Sequence, residues 1–161
     1  MTTRWLPFLM GAYLCGCSQS PDSADELETT DGDAAHTPGA CANGSLADDF
    51  VPGLAKHTES GLEVALVEAD PAPPARLDNS WVLAVSTADG EPMLGAQLTL
   101  NPQMPEHGHG APREAVVTEL GNGRYLAEPV ALFMPGYWSV DVSVTLGDEP
   151  TDSVQFGFCV P

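Results

Sequence analysis

From Cys41 onward, the chain is predicted to fold as an all-β domain, a single antiparallel sandwich of about seven strands. Short runs of β-branched and aromatic residues are separated by Gly, Pro, Asp and Asn, the residues that favour turns. Apolar and polar residues alternate from Tyr137 to Val144, as in a strand with one buried face and one wet face. Residues 121–123, Gly-Asn-Gly, have the composition of a tight hairpin turn, since both residue types tolerate positive φ. This density of short strands and turns is typical of a sandwich.

Each strand can be placed from these signals in chain order. Residues 80–85 are apolar on both faces, which predicts a central strand. Pro102 and Pro105 are expected to end a strand, because proline has no backbone N–H to donate to a sheet. No internal repeat and no second domain is indicated. The predicted strands cover residues 61–68, 80–87, 95–101, 114–120, 123–133, 137–146 and 152–160.

The first 16 residues have the organisation of a bacterial signal peptide. Arg4 supplies a positive charge, and the apolar run that follows is too short to span a bilayer. Residues 14–17, Leu-Cys-Gly-Cys, resemble the bacterial lipobox, which implies that Cys17 is lipidated and becomes the mature N-terminus. Ser18, rather than Asp, then implies an anchor in the outer membrane, facing the periplasm. The alternative is ordinary secretion with Cys17 as a plain thiol.

Residues 17–40 are predicted to be a flexible linker between this anchor and the domain, which then spans residues 41–161. The stretch holds six acidic residues, no basic ones and almost no large apolar side chain. Such a composition buries too little surface to offset the entropy of ordering. The whole chain has 23 Asp and Glu against 5 Lys and Arg. A nucleic-acid partner is therefore not expected, because a phosphate backbone requires clustered basic residues.

The remaining cysteines predict a disulfide. If Cys15 leaves with the signal peptide and Cys17 carries lipid, Cys41 and Cys159 are left as a pair in an oxidising compartment. Alternate apolar residues from Val154 to Val160 are expected to face inward, which puts Cys159 on the outer face of the last strand. The bond would cross the outside of the sheet. A cysteine metal site is the alternative, but no CxxC or Cys-His cluster supports it.

No enzyme is predicted. The chain has no Gly-x-Ser-x-Gly elbow, no phosphate-binding loop and no His-Glu-x-x-His, and no nucleophile lies beside a base. Pairs of acidic residues do not by themselves indicate general acid–base catalysis, because they are frequent in a chain with this many carboxylates.

Three short blocks resemble the YtkA-like domain family of small exported Ig-like β-sandwich modules. They are Met-Pro-Glu-His-Gly at 104–108, Gly-Asn-Gly-Arg-Tyr at 121–125 and Met-Pro-Gly-Tyr-Trp at 134–138. The resemblance covers roughly residues 80 to 145. It implies an exported accessory protein of the cell envelope.

Two of these blocks carry side chains that suit a metal ion. Met104, His107 and His109 lie within six residues, and Met134 is in a turn that a sandwich could bring to the same end. Thioether and imidazole ligands together are suited to copper. The first hypothesis is thus a membrane-anchored chaperone or sensor that binds copper or a similar ion.

A structural role is the alternative for these side chains. The two methionines would fill gaps at the open end of the core, and the two histidines would be exposed turn residues. The domain would then be a structural or interaction module that docks on an envelope protein without any metal.

Overall fold

The computed structural model describes Cys41, residues 44–149 and residues 151–161. The predicted signal peptide, the lipidated Cys17 and the linker lie outside the described residues. Within them no helix is long and apolar enough to cross a membrane. One turn of 3₁₀-helix, Gly44–Leu46, precedes nine strands. The strands are β1 (Leu54–His57), β2 (Glu63–Asp70), β3 (Leu77–Ser86), β4 (Gln97–Met104), β5 (His109–Gly110), β6 (Val116–Gly121), β7 (Arg124–Leu132), β8 (Gly136–Thr145) and β9 (Asp152–Val160).

The strands form two antiparallel sheets, which confirms the predicted all-β sandwich. The five-stranded sheet has the order β1-β2-β3-β7-β6, and the four-stranded sheet has the order β5-β4-β8-β9. The strand predicted to be central, β3, lies in the middle of the first sheet. All seven predicted strands are present, and the two additional ones, β1 and β5, are the shortest.

The core lies between the two sheets and is built from the inward residues of each strand. In β8, Trp138, Val140, Val142 and Val144 are all buried, as the alternation predicts. The opposite face is not wet along its whole length, because Tyr137 and Ser139 are buried too, and the Tyr137 hydroxyl group donates a hydrogen bond to the carbonyl oxygen of Leu46. Aromatic side chains join the two sheets: the ring centroids of Trp81 in β3 and Phe158 in β9 are 5.5 Å apart in an edge-to-face arrangement.

The Gly-Asn-Gly turn connects β6 to β7 as predicted. Gly121 pairs with Arg124, so Asn122 and Gly123 form a two-residue loop, and both have positive φ (53° and 69°). A Cβ atom at position 123 would lie 2.7 Å from the carbonyl oxygen of Val85, so this turn packs against β3.

Tyr125, which follows that turn, links it to the loop before β4. Its hydroxyl group donates a hydrogen bond to the carbonyl oxygen of Met93 (2.7 Å) and accepts one from the backbone N–H of Ala96 (3.1 Å). Burial is the main cause that raises the pKa of this phenol. Tyr125 is therefore a structural residue of its block.

The expectation that Pro102 ends a strand is wrong. Pro102 lies inside β4, opposite Val140 of β8, and the strand continues to Met104. The carbonyl oxygen of Pro102 accepts a hydrogen bond from Ala111, on the β5 side. The N and O atoms of one residue point to the same side of a strand, so the missing N–H also faces β5 and costs no bond to β8.

The segment 44–50, the N-terminal strap, is held against β9. The backbone N–H of Asp48 donates to the carbonyl oxygen of Gly157 (2.7 Å), and the N–H of Gly157 donates to the Asp48 carboxylate (2.8 Å).

Just before the strap, Cys41 forms the predicted disulfide with Cys159, across 118 positions of sequence. Cys159 alternates with the buried Phe158 and Val160, so the bond is on the outer face of the sheet as expected.

Candidate metal site

Met104 and His109 are held together by the β4–β5 hairpin. Met104 ends β4, His109 begins β5, and the two residues are register partners. Directly opposed residues of antiparallel strands project from the same face, with Cβ atoms about 5 Å apart. The loop between them is closed by the backbone N–H groups of His107 and Gly108, which both donate to the carbonyl oxygen of Met104 at 3.0 Å.

The Met104 side chain belongs to the core. It continues the inward row of Leu98 and Leu100 along β4 and is 1% exposed. Its terminal methyl group lies where β8 begins, because a Cβ atom placed on Gly136 would be 2.4 Å from Met104 Cε. Any larger residue at position 136 would require this methyl group to move.

Aromatic rings surround the imidazole of His109. It stacks on Phe133 with ring centroids 5.4 Å apart and an interplanar angle of 28°, and it meets Trp138 edge-on at 6.3 Å. Phe133 and Trp138 are 5.4 Å apart, so the three rings form one cluster. The Nδ1 atom of His109 is buried there, and no described residue forms a hydrogen bond with it. The cluster therefore fixes the ring and leaves a polar atom unsatisfied.

His107 is on the solvent side of this cluster. Its side chain is exposed in the loop, and its ring centroid is 5.6 Å from that of His109, at an interplanar angle of 69°. The hairpin thus brings the two predicted imidazoles into contact and pairs His109 with Met104 in the sheet.

Met134 lies at the same end of the sandwich. It directly follows Phe133, is half-buried and packs against the core. Its carbonyl oxygen accepts a hydrogen bond from Trp138 Nε1 at 2.9 Å. This hydrogen bond places Met134 beside the aromatic cluster. Met134 is not part of the hairpin that carries the two histidines.

The sequence does not predict Phe133, Gly136 and Trp138 as site residues. It predicts Trp138 only as an inward residue of its strand, and the structure confirms that position. The available signal was the block at 134–138, but its contact with the β4–β5 hairpin depends on pairing between strands far apart in sequence. In the described part of the chain, His, Cys, Asp and Glu form no group of three that could hold a metal ion.

A second depression lies at the opposite end of the sandwich, where the β1–β2 and β8–β9 turns meet. Its lining includes both apolar and acidic side chains. The residues that line it are Glu59, Ser60, Leu62, Val144, Leu146, Glu149, Thr151 and Asp152. No histidine or methionine lies there, so it is separate from the hairpin cluster.

Comparison with known proteins agrees with the sequence resemblance. A family model described as YtkA-like matches residues 56–143, which is more than half of the chain and contains all four predicted metal ligands. No curated protein matches. Among solved structures, the chain is similar to a DUF4426 family protein from Pseudomonas aeruginosa PAO1. The identity is 16%, the TM-score is 0.47, and the match covers 66% of this chain and 96% of the other.

Proposed function

Because the chain belongs to the YtkA-like family, which is not a known enzyme family, we propose that it is a non-enzymatic, envelope-associated domain that binds copper or a similar metal ion. The proposed ligands are Met104, His107 and His109, with Met134 as a further donor. The protein would act as a metal chaperone or a sensor outside the cytoplasm.

The unsatisfied Nδ1 atom of His109 is the observation that carries this proposal. A buried polar atom without a hydrogen bond costs free energy, and such atoms in native structures require an explanation. A metal ion bound to Nδ1 would supply the missing interaction. The second imidazole, at 5.6 Å between centroids, and the thioether on the same hairpin are the donor types that copper accepts.

Each residue at the hairpin would have its own role in binding the ion. His107 would be the first donor that an ion meets, because it is exposed, and His109 would bind within the aromatic cluster. Phe133 and Trp138 exclude water from one side of the imidazole and hold its orientation. A bound ion would supply any redox or transfer chemistry, and these residues would hold it in position.

Copper titration tests the proposal directly. The full chain should carry Cys15→Ser and Cys17→Ser, so that neither thiol competes for the ion. Ascorbate should serve as the reductant, since it keeps copper as Cu(I) and leaves the Cys41–Cys159 disulfide intact. We expect one tight Cu(I) site that the His107→Ala/His109→Ala variant loses, with affinity lowered by at least about tenfold.

The matched control is His36→Ala/His57→Ala, which also removes two histidines. His57 is on β1, away from the hairpin. Absence of a tight site in the parent protein would refute metal binding and leave the envelope interaction module as the alternative. A site that survives loss of His107 and His109 would refute metal binding by the hairpin.

The proposed location rests on the lipobox-like residues 14–17. We propose that lipid on Cys17 anchors the protein in the outer membrane, with the domain in the periplasm. The Cys17→Ser variant should then move from the membrane fraction to the soluble fraction, whereas Cys15→Ser should stay membrane-bound because its serine fits the lipobox. Membrane retention of Cys17→Ser would count against acylation.

A further inference from the structure

The donors of the hairpin differ in how deeply they are buried. His107 is exposed, His109 is half-buried with a buried Nδ1 atom, and Met104 is 1% exposed. The chemistry of the donors changes along the same path, from an imidazole in water to a thioether in the core. An ion that reaches the deepest position leaves an aqueous environment and meets sulfur.

The position of Met104 is built into two strands. In β4 the alternation of the strand directs its side chain inward, and at the start of β8 Gly136 provides the space for its methyl group. Gly136 has φ 130°, in the region that favours glycine. Both this backbone conformation and the close approach of Met104 therefore favour glycine at this position. The thioether is therefore held on the face that His109 shares.

The environment of His109 favours an ion of low charge. Its ring is packed between aromatic surfaces, and the hydrogen-bond donor of Trp138 is already bound to Met134. A divalent ion that enters this aromatic environment would give up more hydration than a soft monovalent ion, and a soft monovalent ion also binds thioether sulfur well.

We propose that the hairpin site is selective for soft monovalent ions, Cu(I) and its analogue Ag(I), over Cu(II) and Zn(II). The Met104 thioether is the residue that determines this selectivity. The inference rests on the proposed function, because it assigns an ion class to the same site.

A single sulfur substitution tests it. Met104→Leu keeps a similar volume, so the core is expected to tolerate it. Silver(I) and zinc(II) serve as probes, since neither changes oxidation state during a titration. In the full chain with Cys15→Ser and Cys17→Ser, Met104→Leu should lower Ag(I) affinity by at least about tenfold and change Zn(II) affinity by less than about twofold.

Met93→Leu is the matched control. Met93 is in the loop before β4, held through its carbonyl oxygen by Tyr125, and it has no place in the hairpin. It should leave both affinities unchanged. If near-UV circular dichroism shows that Met104→Leu does not fold, the selectivity is tested in the parent protein alone. There Ag(I) should bind at least about tenfold more tightly than Zn(II).

The outcomes separate this inference from the proposed function. Unchanged Ag(I) affinity in a folded Met104→Leu variant, or equal affinities for the two ions in the parent, would overturn the selectivity while leaving a metal site. A parent protein that binds neither silver nor copper would instead overturn the proposed function itself.

Discussion

Gly136 joins two sequence blocks that are distant along the chain. A Cβ atom there would be 2.4 Å from Met104 Cε and 3.9 Å from a carboxylate oxygen of Glu106. The loop that carries the histidines and the strand that carries Trp138 are therefore in contact at this residue. The absence of a side chain at Gly136 lets the Met104 methyl group of the Met-Pro-x-His-Gly block pack against the start of the Met-Pro-Gly-x-Trp block.

Asp152 is a residue whose protonation should affect stability. Hydrogen bonds from Ser60, and then from Thr58, hold the pKa of its carboxyl group well below the usual value. A lowered folded-state pKa means that the unfolded chain binds the proton first as the pH falls. The stabilising contribution is thus complete above about pH 5 and is lost as the pH decreases from there.

The free energy of unfolding should therefore fall more steeply between about pH 5 and pH 3 in the parent than in Asp152→Asn, which cannot titrate. Urea denaturation at several pH values measures this difference. Asp148→Asn, in the exposed turn before β9, is the control and should follow the parent. Parallel curves for the parent and Asp152→Asn would show that these hydrogen bonds do not couple folding to pH.

At the scale of the strand, local patterns were sufficient wherever a strand was long and alternating. β8 and β9 match their predicted ranges to within a residue or two, because each carries apolar side chains at alternate positions, from Trp138 to Val144 and from Val154 to Val160. β1 has four residues and β5 has two, too few for an alternation to stand out from a loop. β5 exists because His109 and Gly110 pair with the end of β4, which only the fold determines.

The candidate site likewise combines contacts that the local sequence predicts with contacts that only the fold determines. The sequence places Met104, His107 and His109 together, since they are neighbours in one hairpin. It cannot place Phe133 against His109, because that contact requires β7, β8 and β4 to be arranged across both sheets. The hydrogen bond from Trp138 to Met134 spans four residues, yet it too depends on how β8 begins.

For the whole molecule, the ends of the described domain are tied to each other. Cys41 precedes the strap and Cys159 is in the last strand, so their disulfide encloses nearly all of the two sheets. The strap adds its own contacts: Asp48 is bonded to Gly157 and ion-paired with Lys56, and Phe50 meets Phe158 edge-on at 6.4 Å. Covalent and non-covalent contacts thus act on the same strand, β9.

The disulfide should be a major source of stability, because closing a loop of 118 residues greatly reduces the conformations of the unfolded chain. Loss of a native disulfide from a small exported domain typically costs about 2 to 5 kcal/mol. We expect Cys41→Ser/Cys159→Ser to lower the free energy of unfolding by about that amount, measured by urea denaturation. Cys15→Ser/Cys17→Ser removes two cysteines outside the bridge and should keep the parent stability. If the two double variants unfold at the same urea concentration, the strap's hydrogen bonds and ring contacts hold β9 without the bridge.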